Sequence, residues 1–450
     1  MTSPPPPHFL SNKTLLIAGA GLSGLSFALA LRKHLQSLPP SSLPHPPTLL
    51  IYEREPRDLP PGREGYSISI RSDARSGGIQ ALQKLGLLDR ALDASITGLG
   101  DGSGSGGGFA VWDTAWNELL KIRPRVPASL PVGVMRIARR ALRGVLVEAV
   151  EAREAIRWGV ACTGVERLAD GRARVRLSDG GVAECDILIA ADGASSKIRA
   201  GLRPGDGLRS AGAVCLSGTA RFAGGVVPEP MDRDWGIVLG GGGGKCLFVS
   251  PVDERSALWN LSYLASGPRE SKKPPLSEEE SQEICQEALE VGKVFNEPFQ
   301  TLVRGTDPST VMVFNAMDKQ PFANVDREYR DDQAPVIFIG DSNHAVSPFA
   351  GNGANLAMVI TMSLSSSLSF RFPILTSTTS LQMDGWDLAE QMCKSSSLRA
   401  ALVSYDRLSV PRARSTVKMS HTSITVGHSQ DWRLFFYVLL LRLVRLIFFR

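Results

Sequence analysis

The residues best suited to chemistry are acidic residues and glycines at the ends of predicted apolar strands. Asp341 follows Gly340 and residues 335–339, whose composition is typical of a buried parallel strand. A carboxylate at the end of such a strand can accept hydrogen bonds from ribityl or ribose hydroxyl groups. The glycine-rich turn through Gly353 leaves backbone N–H groups free to meet a ligand, and a helix is predicted from Ala354 onward. The stretch from Asp341 to Asn355 therefore predicts a ligand-binding loop.

A second candidate element lies near the N-terminus. An apolar strand is predicted over residues 13–18, and it leads into Gly19, Gly21 and Gly24. This glycine spacing permits a tight turn and brings a pyrophosphate close to the N-terminus of the helix that follows. Glu53 ends the next predicted strand, where its carboxylate can bond an adenosine ribose, and a Ser/Pro-rich insertion explains its long spacing from the glycines. Together these features predict FAD or NAD binding.

Two further elements extend this pattern. Asp192 and Gly193 follow the apolar run 185–191, so a third buried strand is predicted to end in an acid and a glycine. Residues 136–152 are predicted to be helical and are rich in arginine. Arg139 on this helix either contacts the cofactor or belongs to a solvated basic face.

These motifs resemble those of the group A FAD-dependent aromatic-ring monooxygenases. Gly340 to Leu356 resembles the second flavin-binding signature of that family, Asp192-Gly193 resembles its DG motif, and Arg139-x-x-Leu142 resembles its cofactor-side arginine. The resemblance is to a fungal-type enzyme and covers roughly residues 13–435. The FAD-binding residues that it implies are Gly19, Gly21, Gly24, Glu53, Arg139, Asp192, Asp341, Gly353, Ala354 and Asn355.

The implied fold class is α/β. The resemblance predicts a Rossmann-like FAD-binding domain of discontinuous segments, an antiparallel-sheet substrate domain and C-terminal helices. The expected boundaries are 13–210 for the first FAD-binding part, 211–325 for the substrate sheet, 326–410 for the second FAD-binding part and 411–450 for a helical, apolar tail. Within the sheet region, a helix is predicted over residues 277–291, with Ser277 and Glu280 forming a capping box.

The chemistry that the resemblance implies is oxygen transfer to a small organic substrate. NAD(P)H reduces FAD, O2 adds at flavin C4a, and the hydroperoxide hydroxylates or epoxidises an aromatic, polyketide or other secondary metabolite. Arg221 and Tyr263 are candidate catalytic residues because both types can hold a phenolate or enolate, although each could equally be structural. For His344, a hydrogen bond within its loop is favoured over general-base chemistry.

Residues 359–382 interrupt the helix that the signature should begin. This stretch is Ser/Thr-rich and contains Pro373, so it fits a helix interior badly. Valine codons begin with GT and one glutamine codon ends with AG, so splice signals could bound the segment. A retained intron and a genuine surface loop are the two hypotheses. A flavin-binding protein without turnover, or an inactive product of such a gene model, therefore stands as the alternative function.

The overall composition limits which partners and cellular locations the sequence predicts. The net charge of +5 over 450 residues does not indicate a nucleic-acid partner. The six cysteines lack metal-type spacing, so no metal site is predicted, and reduced thiols favour a cytoplasmic location. Residues 434–449 are apolar apart from Arg442 and Arg445. A helix packed on the protein body and contact with a membrane surface both remain open for them.

Overall fold

The computed structural model describes most of the chain in well-defined strands and helices. The described residues are 6–59, 66–72, 77–96, 108–123, 126–241, 243–326, 329–330, 333, 335–352 and 380–448. The strands are β1 (Thr14–Ala18), β2 (Thr48–Glu53), β3 (Ser67–Arg71), β4 (Phe109–Trp112), β5 (Glu118–Ile122), β6 (Val134–Ala138), β7 (Ile156–Trp158), β8 (Cys162–Arg167), β9 (Ala173–Leu177), β10 (Val182–Cys185), β11 (Ile187–Ala190), β12 (Arg209–Arg221), β13 (Trp235–Gly240), β14 (Lys245–Asp253), β15 (Ser256–Leu264), β16 (Met312–Asp318) and β17 (Val336–Phe338). The helices are α1 (Leu22–Gln36), α2 (Gly78–Leu85), α3 (Leu88–Asp93), α4 (Arg139–Glu151), α5 (Lys197–Leu202), α6 (Glu278–Val291), α7 (Phe299–Arg304), α8 (Asp341–His344), α9 (Phe349–Asn352), α10 (Ser380–Lys394), α11 (Leu398–Gly427) and α12 (Asp431–Phe448), with a 3-10 turn at Pro308–Thr310.

The three predicted cofactor strands lie side by side in one parallel sheet. Its strand order is β17-β11-β1-β2-β7. Ile337, Ile189, Ile17 and Ile51 form one row across β17, β11, β1 and β2, and all four side chains are buried. Branched apolar side chains suit such strands because helices cover both faces of a parallel sheet. The carboxyl ends of these strands, which carry the predicted acids and glycines, therefore lie along one edge.

The second large sheet has seven strands. Its strand order is β16-β12-β15-β14-β13-β4-β5, and its neighbours are antiparallel except for β13 and β4. The mostly antiparallel sheet predicted within 211–325 is therefore present. It also includes β4 and β5, which come from the segment assigned to the first FAD-binding part, while the domain boundaries themselves stay a prediction.

Two local predictions have clear outcomes. The Ser277–Glu280 capping box at the start of α6 is confirmed, since the Ser277 hydroxyl accepts the Glu280 N–H and the Glu280 carboxylate accepts the Ser277 N–H. The helix predicted from residue 136 instead begins at Arg139. Residues 134–138 form β6, which pairs with β3, so Arg136 lies on a strand. Pairing with a distant strand outweighs the local helical pattern there.

The C-terminal helices complete the molecule. Helix α10 packs on α1 so closely that a Cβ at Gly385 would lie 2.6 Å from the Phe27 nitrogen. Helix α11 contacts β12 and β13 of the seven-stranded sheet, and α12 packs on β5. Within the described part of the chain, none of the helices combines the length and apolarity needed to cross a bilayer.

Some predictions fall outside the described residues. These are the assignments of Gly353, Ala354 and Asn355 to the cofactor, and the intron hypothesis for residues 359–379. The last three residues of the suspected segment, 380–382, are described, and they form the first turn of α10.

Candidate active site

The glycine-rich loop after β1 is held by an acid at the end of β2. Gly19 has a φ of +108°, and a Cβ there would lie 2.4 Å from the Ala191 carbonyl oxygen, so only glycine fits. The Glu53 carboxylate is buried and accepts the Ala20 N–H at 2.7 Å. Gly24 on α1 leaves no room for a side chain against Gly19. The loop is therefore fixed to both neighbouring strands.

The same loop leaves space and polar groups for an anionic ligand. Among the described residues, a Cβ at Gly21 would meet no atom within 4 Å, and no side chain caps the N-terminus of α1 there. Asp192, across the loop, accepts the Lys197 N–H at 3.0 Å through Oδ2, while its buried Oδ1 has no partner among the described residues. A helix N-terminus with free N–H groups fits a pyrophosphate, and the orphaned carboxylate oxygen fits a ligand hydroxyl. These residues therefore fit the FAD that the motifs predict.

Arg199 joins the loops that follow β11 and β17. Its buried guanidinium donates to the Ala194 carbonyl at 2.5 Å and to the Ser342 carbonyl at 2.6 Å. The Ser342 hydroxyl in turn donates to the Ala190 carbonyl at 2.5 Å. Burial lowers the pKa of Arg199, although nearby acids, including Asp192 and Asp341, oppose that shift. Asp192 and Asp341 are thus brought to the same edge of the parallel sheet.

Asp341 is half-buried in a mixed-charge environment at the start of α8. Burial raises the pKa of its carboxyl group, while His344 and Arg139 act to lower it. The Arg139 guanidinium also lies 6.0 Å from the centre of the Tyr66 ring. The start of α4 therefore reaches the same region as the loop after β17.

A buried charge cluster connects this loop to the C-terminal helices. His344 Nε2 lies 2.8 Å from Asp384 Oδ2, and Arg412 donates to Asp384 at 2.6 Å and to Asp387 at 2.8 Å. Burial alone would raise the pKa of Asp384, but His344 and Arg412 outweigh it and hold that pKa below its usual value. His344 therefore pairs with an acid on α10, outside its own loop.

The inner face of the seven-stranded sheet carries polar side chains. We use this name for the face toward α11, defined by Cys215, Ser217, Cys246, Ser250, Asn260 and Ser262. Ser262 shows that this face is turned toward α11, because its hydroxyl lies 3.0 Å from Nε2 of His428 at the end of that helix. Asn260 is buried and its amide oxygen has no partner among the described residues, which signals a site for a polar ligand.

Arg136 adds a buried cation at this face. It donates to the Ser69 hydroxyl at 2.8 Å and to the Ser67 carbonyl at 3.0 Å, and its guanidinium lies 5.8 Å from the Trp235 ring centre. Ser67 contacts Ser250 of the inner face at 3.2 Å. Within the described residues Arg136 pairs with no carboxylate, and its Nε has no hydrogen-bond partner. Burial lowers the pKa of Arg136 to about 9.

The two predicted catalytic residues lie elsewhere. Tyr263 follows Ser262 on β15 and so points to the opposite face, where Arg269 on the far side of the sheet donates to its hydroxyl at 3.0 Å. Arg221 lies at the end of β12, is largely exposed and donates to Asp307 at 2.7 Å. It lines a cavity of about 400 Å³ with Arg140 and Glu254. In the described part of the chain, Arg221 and Tyr263 are hydrogen-bonded to Asp307 and Arg269 and to no residue of the cofactor loops, and their catalytic role stays a prediction.

Sequence reasoning missed Arg136, Asn260 and Arg412. Arg412 and Asp384 are distant in the sequence, so no local spacing predicts their pairing. A single signal was available for Arg136: residues 134–138 are a short apolar run broken only by Arg136, as in a buried strand, whereas the basic cluster that follows favours a helix.

Comparison with known proteins supports the cofactor that these loops fit. A family model described as an FAD binding domain matches residues 12–371. The monooxygenase cfoF of Aspergillus candidus is 38% identical over 431 residues, covering 94% of this chain and 93% of the relative. The chain belongs to the FAD-dependent monooxygenases, which are oxidoreductases.

Solved structures share the fold at low identity. Klebsiella pneumoniae HpxO, complexed with FAD and uric acid, has a TM-score of 0.67 and 20% identity, with 97% of this chain and 96% of that chain covered. The 2,6-dihydroxypyridine-3-hydroxylase of Arthrobacter nicotinovorans has a TM-score of 0.65 and 17% identity, with 94% of each chain covered. Both confirm the α/β fold with its sheets and C-terminal helices.

Proposed function

We propose that this monooxygenase uses NAD(P)H and O2 to hydroxylate or epoxidise a small secondary metabolite that carries an acidic hydroxyl group, such as a phenol or an enol. The observation that carries the proposal is Arg136. Its buried guanidinium bonds, within the described structure, only to neutral groups, which costs free energy that an anionic ligand would offset.

The substrate would bind on the inner face. Arg136 would hold the ionised oxygen, and the free amide oxygen of Asn260 would accept a hydrogen bond from a second hydroxyl or N–H group. A positive group beside a phenol favours its phenolate, which is the more electron-rich form and accepts oxygen more readily. Arg136 thus replaces Arg221 and Tyr263 as the proposed partner of the substrate anion.

The FAD would lie along the edge formed by the three loops. Gly19, Gly21 and Gly24 would face its pyrophosphate, Glu53 the adenosine ribose, and Asp192 and Asp341 its hydroxyl groups. Arg139 would lie beside the FAD, because it is close enough to Asp341 for its positive charge to lower the pKa of that carboxyl group. Gly353, Ala354 and Asn355 remain proposed cofactor residues by resemblance alone.

Bound FAD would supply the redox chemistry, and the protein's residues would position the reactants. In the hydroxylation, substrate R–H, O2, NAD(P)H and a proton give R–OH, water and NAD(P)+. The O–O bond breaks, one oxygen forms the new C–O bond, and the nicotinamide is oxidised. The buried walls of the inner face would exclude water, which protects the oxygen-transfer step from wasteful reaction.

We also propose that the chain works in the cytoplasm. All six cysteines are free thiols, and five of them are buried. Free thiols are usual in a reducing compartment.

Flavin reduction tests the function. Purified protein carrying FAD would be mixed anaerobically with NADPH or NADH, in the presence of phenols, 1,3-dicarbonyl enols or their methyl ethers. We expect the free hydroxyl compounds to accelerate flavin bleaching and the methyl ethers to do so far less. Bound FAD that neither nicotinamide reduces would instead support a flavin-binding protein without turnover. Equal acceleration by the ethers would refute an anionic substrate.

A further inference from the structure

Helix α12 is apolar on two opposite sides. Leu441 and Val444 are buried against the core that includes β4, β5 and β13. On the other side lie six large side chains that are 45 to 71% exposed. They are Trp432, Phe435, Phe436, Leu439, Leu443 and Leu446, and we call them the α12 stripe. One side therefore accounts for the packing of the helix, and the stripe requires a different explanation.

The stripe forms one continuous surface. At about 100° per residue, its six positions fall within an arc of about 100° that is centred opposite Leu441. Three aromatic side chains occupy its first half and three leucines its second half. Scattered apolar side chains are normal on protein surfaces, whereas a contiguous row of this length marks a contact surface.

Arginines flank the stripe on both sides. Arg433 and Arg442 are exposed on opposite edges of it. Arg445 lies further round and anchors the helix to β5 through the backbone and side chain of Glu118. Asp431, at the first turn, is the only acid in the sequence of α12. The surface is therefore apolar along its centre and cationic at its margins.

We infer that the α12 stripe rests in the headgroup layer of an anionic lipid membrane. Aromatic and leucine side chains on one helix face, bordered by arginines, match a helix that lies in the plane of such an interface. A second copy of the chain fits less well. In a two-fold pair of α12 helices the arginine margins of the two copies would face each other, and each helix offers a single acid, Asp431, to set against two arginines.

Vesicle binding tests this inference on the full-length, FAD-loaded protein. The protein would be sedimented with phosphatidylcholine vesicles, with or without about one-third phosphatidylserine. The test variant is Phe435→Glu with Leu439→Glu. The matched control is Val182→Glu with Val226→Glu, which adds the same two charges at exposed apolar positions away from α12. Circular dichroism and bound flavin absorbance would confirm that both variants fold.

We expect the wild type and the control to bind phosphatidylserine vesicles at least tenfold more tightly than the Phe435→Glu/Leu439→Glu variant. Binding of the wild type should also weaken as salt rises, because it includes arginine–headgroup attraction. Absent vesicle binding, or equal loss in the control and test variants, would overturn the inference. So would a dimer by light scattering that dissociates only in the test variant while no protein binds vesicles.

Discussion

Two arginines in this molecule, the partly buried Arg412 and the buried Arg136, have opposite surroundings. Arg412 on α11 pairs with Asp384 and Asp387, and although burial alone would lower its pKa, these carboxylates hold that pKa above its usual value. Arg136 on β6 bonds to serine oxygens and lies beside Trp235, and burial lowers its pKa. The first cation is neutralised by the protein itself, and the second lacks such an acid among the described residues. The difference distinguishes a charge that holds the fold together from one that is kept for a ligand.

The largest expected effect is at Arg412. Arg412→Met leaves the buried Asp387 carboxylate without its cation and leaves Asp384 with His344 alone, which should reduce the free energy of unfolding by about 3–5 kcal/mol. Urea denaturation followed by circular dichroism measures the change. Arg414→Met, at an exposed position of the same helix, is the control and should stay within about 0.5 kcal/mol of the wild type. Similar losses in both variants would show that the buried pairing is not the cause.

Acid should weaken the same cluster. The folded-state pKa of Asp384 lies below its unfolded value, so its ionised form stabilises the protein above the usual aspartate range, and this stabilisation is lost as pH falls through the folded pKa. Asp384→Asn should cost about 3 kcal/mol near pH 7. The difference in unfolding free energy between Asp384→Asn and the wild type should narrow as pH falls below about 4. Urea titrations at several pH values measure it, and a gap that widens toward acid would contradict the assignment.

Arg136→Met should affect substrate binding more than stability. An apolar side chain of similar length replaces an unpaired buried cation, so the free energy of unfolding should change by about 1 kcal/mol or less. The KM for an acidic substrate should rise by about tenfold or more, equivalent to about 1.4 kcal/mol. Arg136→Lys should recover part of this loss because it keeps the charge. A loss of stability as large as that of Arg412→Met would remove the distinction between the two arginines.

The smallest expected effect is at Asn260. Asn260→Leu removes an amide whose oxygen has no partner, so stability should stay within about 1 kcal/mol of the wild type or improve. The KM should rise a few-fold for substrates with a second hydroxyl and remain unchanged for those without one. Steady-state kinetics with matched mono- and dihydroxy compounds measures this contrast. An equal change for both compounds would exclude a direct hydrogen bond.

The sequence predicts the cofactor edge better than the substrate face, for physical reasons. Gly19 and Glu53 act within one short βα unit, so local spacing reveals their contact. Ser262 and Tyr263 are neighbours on β15, and which of them points inward depends on which face α11 covers. Arg136 depends on pairing between β6 and β3. Such long-range packing is not encoded in local patterns.

The contact between His344 and Asp384 has a consequence for how this chain can vary in length. The two residues are 40 positions apart, and they stay on either side of the 24-residue stretch 359–382. The entropy of closing a chain grows only with the logarithm of its length, so removing that stretch would change the closure free energy by about 0.8 kcal/mol. A product spliced without residues 359–382 would keep both His344 and Asp384, because Met383 would then directly follow Met358. The cluster can therefore form in a long or a short product of this gene.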